Sequence, residues 1–254
     1  MKMFFNGLQF RLIEKSIGLT EFCGFTRCES DQSGSSDIFA ARTAFCGAQS
    51  FCGSLEGKKL KYLSYAQSGN SLEVVQANNL ISLSTGVKAD KCGALKIRNV
   101  INNVYSYPVT LGDITVLAVG GFSLKNTYIC CAKDLSLLKK HDFALENLIG
   151  LYKKVTPEIL SFHLEKLGLP SDNKWVFYDQ NARLYLAFCY EDLKGGWEFF
   201  LNENEICFTS DGKLKGDGEI MLNPNGGEYV SRTLIVAADT TAEEAVNKMN
   251  AVFC

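Results

Sequence analysis

The spacing of the apolar residues distinguishes one segment of the chain from the rest. Between residues 134 and 169, leucines and other apolar residues recur every three or four positions, with lysines and glutamates mostly between them. That period is typical of amphipathic helices. Thr156-Pro157 interrupts the pattern as an N-cap followed by proline at the first helical position. The pattern therefore predicts a central pair of helices.

The remaining apolar residues occur mainly in short runs that turn residues separate. Gly112-Asp113 and Gly120-Gly121 stand where tight turns would join neighbouring runs. Residues 175–178 and 183–188 flank a short polar loop, which is the pattern of a β-hairpin. Runs that follow one another without intervening helices predict a mostly antiparallel sheet rather than alternating β-α-β units.

A further helical pattern occupies the last residues. It starts at Asp239-Thr240-Thr241, and Glu243 or Glu244 is placed to complete a capping box. The predicted fold class is therefore α+β: a mostly antiparallel β-sheet with a central helical pair (about 134–169) and a C-terminal amphipathic helix.

The length of 254 residues suits one large domain or two small ones. The change of pattern near residue 170 predicts a β-rich sub-domain closed by the helical pair at residues 1–170. An antiparallel sheet with the C-terminal helix would then form residues 171–254. A single domain is the alternative.

Charge and hydropathy argue against several classes of protein. The formal net charge is -2 and the basic clusters are short, which disfavours nucleic acid as a partner. No apolar run approaches the roughly 20 residues of a membrane-spanning helix. The first residues lack the apolar centre of a signal peptide. We therefore expect no membrane span, and a cytoplasmic or other reducing intracellular compartment.

Ten cysteines are many for a chain of this length. Without a secreted context, free thiols packed as small apolar residues are the preferred interpretation, with no cofactor. Four cysteines nevertheless surround one polar loop, and four thiolates can hold zinc tetrahedrally, although the spacing C-x4-C-x17-C-x5-C is wider than in typical zinc knuckles. Disulfides are the third alternative. This candidate metal-ligating set comprises Cys23, Cys28, Cys46 and Cys52.

A cysteine nucleophile needs a base that stabilises its thiolate, usually a histidine within hydrogen-bonding reach. The chain has two histidines, His141 and His163, and both lie in the central helical segment. Each borders an apolar stripe, where a histidine is more often a packed residue than a base. The sequence contains no serine-nucleophile or nucleotide-binding motif.

Aromatic residues are concentrated between residues 175 and 200. Strand alternation places about half of them on an inner face, and the others, where exposed, would form a partner surface. A sheet buried on both faces is the alternative. The predicted interaction surface comprises Trp175, Tyr178, Tyr185, Trp197 and Phe199.

Without a catalytic motif, the sequence predicts a non-enzymatic protein-interaction or structural subunit of a larger assembly, with a protein partner or a second copy of the chain. One alternative is a thiol-dependent enzyme that uses a cysteine with His141 or His163. The other is a small-ligand carrier whose pocket lies inside the second sheet.

Overall fold

In the computed structural model, two large antiparallel β-sheets pack face to face. The structure describes residues 2–5, 8–14, 20–27, 40–45, 61–111, 114–120, 122–181, 183–192, 199–201, 205–210 and 220–254. The strands are β1 Lys2–Phe5, β2 Leu8–Glu14, β3 Thr20–Arg27, β4 Ala40–Phe45, β5 Lys61–Ser68, β6 Ser71–Ala77, β7 Ile81–Ala89, β8 Leu95–Asn103, β9 Val109–Leu111, β10 Ile114–Gly120, β11 Thr127–Cys131, β12 Trp175–Asp179, β13 Leu184–Tyr190, β14 Phe199–Leu201, β15 Glu205–Ser210, β16 Ile220–Leu222, β17 Glu228–Val230 and β18 Leu234–Asp239. The helices are α1 Leu145–Tyr152, α2 Pro157–Lys166 and α3 Ala242–Ala251.

Among the described residues, one sheet has nine strands and the other has seven. The nine-stranded sheet runs in the order β11-β12-β13-β18-β8-β7-β6-β5, and β17 also pairs with β8. The seven-stranded sheet runs in the order β1-β2-β3-β4-β10-β15-β14. A short third sheet pairs β9 with β16 over a separate small core that includes Ile81, Ile101 and Leu222.

The residues of β6, β7 and β8 alternate strictly between buried and more exposed positions. Successive side chains of a strand point to opposite faces, so this pattern gives the nine-stranded sheet an inner face and an outer face. Val74, Val87 and Ile97 belong to the buried inner face. The outer-face positions of these three strands are half-exposed or exposed.

The inner face packs against the seven-stranded sheet. Phe188 of β13 meets Phe208 of β15 edge to face, with ring centroids 4.7 Å apart. Asn99 of β8 donates a hydrogen bond from Nδ2 to the Val116 carbonyl of β10, at 3.3 Å. The principal apolar core therefore lies between the two sheets.

The central helical pair is confirmed in outline, but its first member is shorter than the sequence pattern predicted. Residues 135–137 and 141–143 form 3-10 turns, and α1 begins only at Leu145. The chain breaks between these turns because Leu138 is extended and Lys139 adopts a φ of 75°. The expected restart is present: Thr156 Oγ1 accepts a hydrogen bond from the Ile159 amide, and Pro157 is the first residue of α2.

The helical segment covers two strands that would otherwise end their sheets with unpaired backbone. Ala144 forms a β-bridge with Tyr128 of β11, and Val155 forms one with Leu201 of β14. β11 and β14 are edge strands of the two sheets. Covered edges cannot pair with other chains, so these bridges close one side of the sandwich.

The C-terminal helix is confirmed as α3. Thr241 Oγ1 accepts a hydrogen bond from the Glu244 amide at 3.3 Å, which caps the helix. The buried residues Ala242, Ala245 and Met249 pack α3 against β12, β13 and β18. Because the inner face of these strands contacts the other sheet, α3 covers their outer face. The outer face stays open over β5 to β8.

Strands from both sides of residue 170 pair within each large sheet. Ile97 of β8 pairs with Leu234 of β18, and Val119 of β10 pairs with Ile206 of β15. These pairings favour the single-domain alternative over the division near residue 170, which stays a prediction. The predicted fold class is confirmed: the protein is α+β, mostly antiparallel sheet. None of the helices among the described residues has the length and apolarity that a membrane crossing requires.

Candidate ligand-binding site

The open outer face carries a trough whose floor is a glycine. Ala66, Glu73, Gly86 and Arg98 lie side by side in one cross-strand row of β5, β6, β7 and β8. Neighbouring strands are roughly 4.8 Å apart, so Glu73 and Arg98 start about 10 Å from each other on either side of Gly86. Among the described residues, a Cβ added to Gly86 would have only the Arg98 carbonyl oxygen within 4 Å, at 3.8 Å. The missing side chain therefore leaves open space.

A second row completes the trough. Ser68, Ser71, Lys88 and Lys96 lie one pleat further along the same four strands. Beyond β8, Glu191 and Thr233 form the opposite side, and the Glu191 amide donates to the Thr233 carbonyl at 3.0 Å. The cavity has a volume of about 500 Å³, within the range of sites that hold small molecules.

Two carboxylates of the trough have partners. Lys96 Nζ lies 2.8 Å from Glu191 Oε1, which links β8 to the end of β13. Glu73 Oε1 accepts a short hydrogen bond from the hydroxyl of Ser84, its neighbour on the outer face. Both carboxylates stay accessible to solvent at the trough.

Two cations of the trough have no partner in the part of the chain that the structure describes. Lys88 and Arg98 are exposed, and no other described residue forms an ion pair or hydrogen bond with either side chain. Together with Lys96 they give the trough three cations against the two carboxylates Glu73 and Glu191. The trough is thus locally basic within a chain whose formal net charge is -2.

The residue types on one face of β7 are a sequence feature that indicates this site. Ser82, Ser84, Gly86 and Lys88 occupy alternate positions of one strand, so small or polar residues line an entire outer face of β7. Glycine inside a strand often marks a place where a ligand approaches the backbone. Which strands lie beside Gly86 could not be predicted from the chain alone.

The predicted metal set falls mostly outside the described residues. Cys23 lies in β3, where its backbone pairs with Arg11 and Ala40. Cys28, Cys46 and Cys52 are not among the residues that the structure describes. The zinc hypothesis therefore stays a prediction. Within the described residues, no group of three or more histidine, cysteine or acidic side chains could hold a metal ion.

The buried thiols in β11 are not poised as nucleophiles. Cys131 Sγ donates a hydrogen bond to Asp172 Oδ1 at 3.0 Å. Burial, together with this bond to a carboxylate, raises the pKa of Cys131 to about 11. Burial also raises the pKa of Cys130 far above its ordinary value. Because the thiolate is the reactive form, both residues are protonated and unreactive near neutral pH.

Neither histidine serves a cysteine in the described part of the chain. His163 Nδ1 lies 3.5 Å from the Tyr152 hydroxyl, and the His163 ring packs edge-on against Phe143. His141 is exposed at the start of a 3-10 turn. His163 therefore has a packing role of the kind that its position favoured, whereas His141 is a surface residue.

Three residues of the predicted interaction surface are buried. Trp175 and Phe199 are each 1% exposed, and their rings meet edge to face between the two large sheets, 5.7 Å apart. Tyr178 is 5% exposed and stacks on the half-buried Tyr185 at 4.2 Å. Trp197 lies outside the described residues. The aromatic residues of this region thus supply core packing, because both faces of β12 and β13 are covered.

Comparison with known proteins gives a likeness in fold. No family model and no curated protein sequence matches the chain. A variant of the GH36 alpha-galactosidase AgaA from Geobacillus stearothermophilus, solved in complex with raffinose, matches 98% of this chain and 41% of its own, with TM-score 0.63 and 9% identity. The alpha-galactosidase from Lactobacillus brevis matches 98% of this chain and 40% of its own, with TM-score 0.56 and 7% identity. A Glycoside Hydrolase Family 97 enzyme from a Pseudoalteromonas strain matches 96% and 36%, with TM-score 0.50 and 7% identity.

These matches correct the functional prediction. The chain spans about two fifths of the length of the matched structures, and it has the fold of that part of them. The prediction of a non-enzymatic interaction or structural subunit is therefore wrong. It depended on the absence of catalytic motifs, on the scarcity of histidine and on a predicted aromatic surface, of which Trp175, Tyr178 and Phe199 are buried.

Proposed function

We propose that the chain is a carbohydrate-binding domain that works as part of, or together with, a carbohydrate-active enzyme, and that the trough holds the saccharide. The glycine floor between Glu73 and Arg98 is the observation that carries this proposal. A flat floor without side chains lets a ring lie against the sheet, and glycine in a strand favours that close approach.

The groups around the floor match the chemistry of a sugar. Each sugar hydroxyl both donates and accepts hydrogen bonds, so its site needs both acceptors and donors. Glu73 supplies an acceptor, whereas Arg98 and Lys88 supply donors. The fold shared with glycoside hydrolases supports the same class of ligand.

A steric block tests the proposal. In Gly86→Ile, a β-branched side chain suited to a strand would fill the floor of the trough. The control Ser82→Ile places the same side chain on the same face of β7, four residues away and outside the trough. We expect the wild type and Ser82→Ile to bind at least one oligosaccharide of an immobilised panel, and Gly86→Ile to bind it at least tenfold more weakly. Circular dichroism would verify that each variant is folded.

Two outcomes would contradict the proposal. A folded wild-type chain that binds no member of a panel of neutral and acidic oligosaccharides would remove the saccharide function. Equal binding by Gly86→Ile and Ser82→Ile would place the saccharide somewhere other than the trough.

We also propose that the chain works in a reducing compartment. Cys130 and Cys131 are buried free thiols, and Cys92 and Cys254 are exposed free thiols. Thiols of this kind persist where the cell keeps cysteines reduced. Thiol titration of protein denatured without reductant should find these four in the reduced form, and peptide mapping that finds them in disulfides would contradict the proposal.

The expectation of a protein partner or a self-associated state stays a prediction, as does the absence of nucleic acid. Light scattering at two protein concentrations tests self-association. A filter-binding assay with duplex DNA tests the second expectation, since a chain with net charge -2 should show no binding at physiological salt.

A further inference from the structure

We infer that the saccharide of the trough is acidic, and that Arg98 and Lys88 hold its carboxylate or sulfate group. This inference rests on the proposed saccharide function and adds the chemical class of the ligand. Its basis is that the charges of the trough differ in their pairing: both carboxylates have partners, whereas two of the three cations have none among the described residues.

The three cations are close neighbours on one face. Lys96 and Arg98 are two residues apart on β8, which places their Cα atoms roughly 6.6 Å from each other. Lys88 is directly opposite Lys96 in the pairing of β7 with β8, so it is the diagonal neighbour of Arg98 at roughly 7–8 Å. Like charges at these distances repel one another, and a bound anion would relieve that repulsion.

Only one of these three charges is neutralised within the described residues. Glu191 pairs with Lys96, on the side of the trough beyond β8. Glu73, the other carboxylate, bonds to Ser84 and is separated from Arg98 by the bare strand at Gly86. A ligand on the glycine floor would therefore meet an acceptor from β6 on one side and the cation of Arg98 from β8 on the other. The cation of Lys88 lies two residues further along β7.

Arginine gives this end of the trough a preference for planar or tetrahedral oxyanions. The guanidinium presents a rigid fork of N–H donors that matches a carboxylate or a sulfate with two parallel hydrogen bonds. Lys88 adds a mobile point charge from the neighbouring strand. With its anion held by Arg98 and Lys88, the ring of a uronic acid or of a sulfated hexose would extend across Gly86 toward Glu73.

A neutral sugar would gain less from this arrangement. Its hydroxyls can accept hydrogen bonds from Arg98 and Lys88, but these bonds lack the ionic component that makes charge-assisted contacts about twice as strong. The trough therefore discriminates by charge at one carbon of the ring, and it contributes hydrogen bonds of ordinary strength elsewhere.

The test uses sugars that share one ring and differ only at C6. Galactose, galacturonic acid and galactose 6-sulfate form one series, and the corresponding gluco and manno compounds form two more. Ligand-observed NMR with the full chain would rank their affinities. We expect a uronic acid or 6-sulfate to bind at least tenfold more tightly than the neutral sugar of its series, and the stronger of the two identifies the anion.

Single substitutions test which residues produce the preference for the acidic sugar. Arg98→Gln and Lys88→Gln should each weaken binding of the acidic sugar at least fivefold. They should weaken binding of the neutral sugar by a clearly smaller factor, because the neutral sugar loses no ionic contact. Lys91→Gln is the control, because it removes the same charge from an exposed lysine in the turn between β7 and β8 that does not line the trough. The preference for the acidic sugar should also fall as salt is added, since exposed charges are screened.

The outcomes separate this inference from the proposed function. Equal affinity for neutral and acidic sugars would overturn the inference and leave the saccharide function in place. Binding of no sugar in any series would overturn both. Acetate or sulfate that binds as tightly as the acidic sugars would also overturn both, because the trough would then be a simple anion site. If Lys91→Gln lost as much affinity as Arg98→Gln, the anion would have to bind somewhere other than the trough.

Discussion

Lys96 and Glu191 are 95 residues apart in the chain, and their side chains form an ion pair of 2.8 Å at the side of the trough. The two side chains are 29% and 46% exposed, so water screens the pair and it contributes only about 0.5 kcal/mol to the free energy of folding. Its larger consequence is for binding, because Glu191 occupies one of the three cations that an acidic ligand would otherwise contact.

Removing that carboxylate should strengthen the binding of an acidic sugar. We expect Glu191→Gln to raise the affinity for the preferred acidic sugar about threefold, which matches the energy of one exposed charge pair. The affinity for the neutral sugar of the same series should stay the same. Glu165→Gln is the control, since Glu165 is exposed on α2 and does not line the trough. Weaker binding in Glu191→Gln would show that Glu191 contacts the ligand as an acceptor.

The described cysteines should differ sharply in reactivity. Cys92 and Cys254 are exposed, whereas Cys130, Cys131 and Cys189 are buried. Peptide-mapped labelling of the native protein with iodoacetamide near pH 7.5 should therefore modify Cys92 and Cys254 at least tenfold faster than the three buried residues. Rapid labelling of Cys131 in native protein would contradict the burial that raises its pKa to about 11.

The hydrogen bond to Asp172 contributes to the raised pKa of Cys131, and therefore to its low reactivity. In Asp172→Asn the thiol of Cys131 loses a charged acceptor, so its pKa should fall from about 11 toward the value that burial alone imposes. The pH at which labelling of Cys131 accelerates should move down accordingly. Cys189, which is also buried, serves as the internal control and should label at an unchanged rate.

Asn103 should be one of the most sensitive polar residues for stability. It is 1% exposed, and its Nδ2 donates to the carbonyls of Tyr107, Leu222 and Asn223, while its Oδ1 accepts from the Tyr105 amide at 2.8 Å. Asn103→Ala leaves these backbone groups without their partner, which should lower the free energy of unfolding by about 3 kcal/mol in urea titrations.

The neighbouring residue provides the matched control for that change. Asn102 precedes Asn103 in β8 but lies on the half-exposed outer face. Asn102→Ala should therefore change the free energy of unfolding by less than about 0.5 kcal/mol. Equal losses in the two variants would mean that the hydrogen bonds of Asn103 contribute nothing specific.

Asp239 should give the protein an acid-sensitive component of stability. Burial alone would raise the pKa of Asp239, but hydrogen bonds from Lys248 and from the Thr240 amide outweigh it, so the pKa lies below the ordinary value of an aspartate. A carboxylate whose pKa is lowered on folding stabilises the protein above its unfolded pKa. That stabilisation is lost as the pH falls through the folded pKa.

The measurement compares Asp239→Asn with the wild type in urea titrations from about pH 6 to about pH 2. The wild type should be the more stable protein at pH 6, and the difference should shrink below about pH 4. Asp142→Asn, which removes an exposed carboxylate from a 3-10 turn, is the control and should lack this trend. A difference between Asp239→Asn and wild type that is constant with pH would contradict the assigned cause.

Several elements were determined by the sequence alone. Thr156 and Thr241 cap helices through amides only three residues away, and those caps appear where the sequence predicted them. The hairpin between residues 175 and 188 formed in the expected place, with Trp175 opposite Phe188. Caps and short hairpins depend on neighbours a few residues away, so the local sequence contains all that is needed to predict them.

The tertiary structure decided where the first helix begins and whether the aromatic residues are buried. Leu138 keeps the helical spacing but lies in an extended stretch before the buried Phe143. Trp175 and Tyr178 point to opposite faces of β12, yet both are buried because the second sheet covers one face and neighbouring tyrosines cover the other. Alternation identifies two faces of a strand but cannot say what covers each of them.

The position of the trough could likewise not be predicted from the sequence. Glu73, Gly86 and Arg98 come from three strands, and Glu191 reaches the same site only because β18 joins β13 to β8. Pairings between distant segments depend on how both sheets bury their apolar faces together, and that is a property of the whole fold. The sequence by itself determined the strands, the caps and the residue types. The packing of two sheets and α3 decided that one outer face would stay open, and therefore where a ligand can bind.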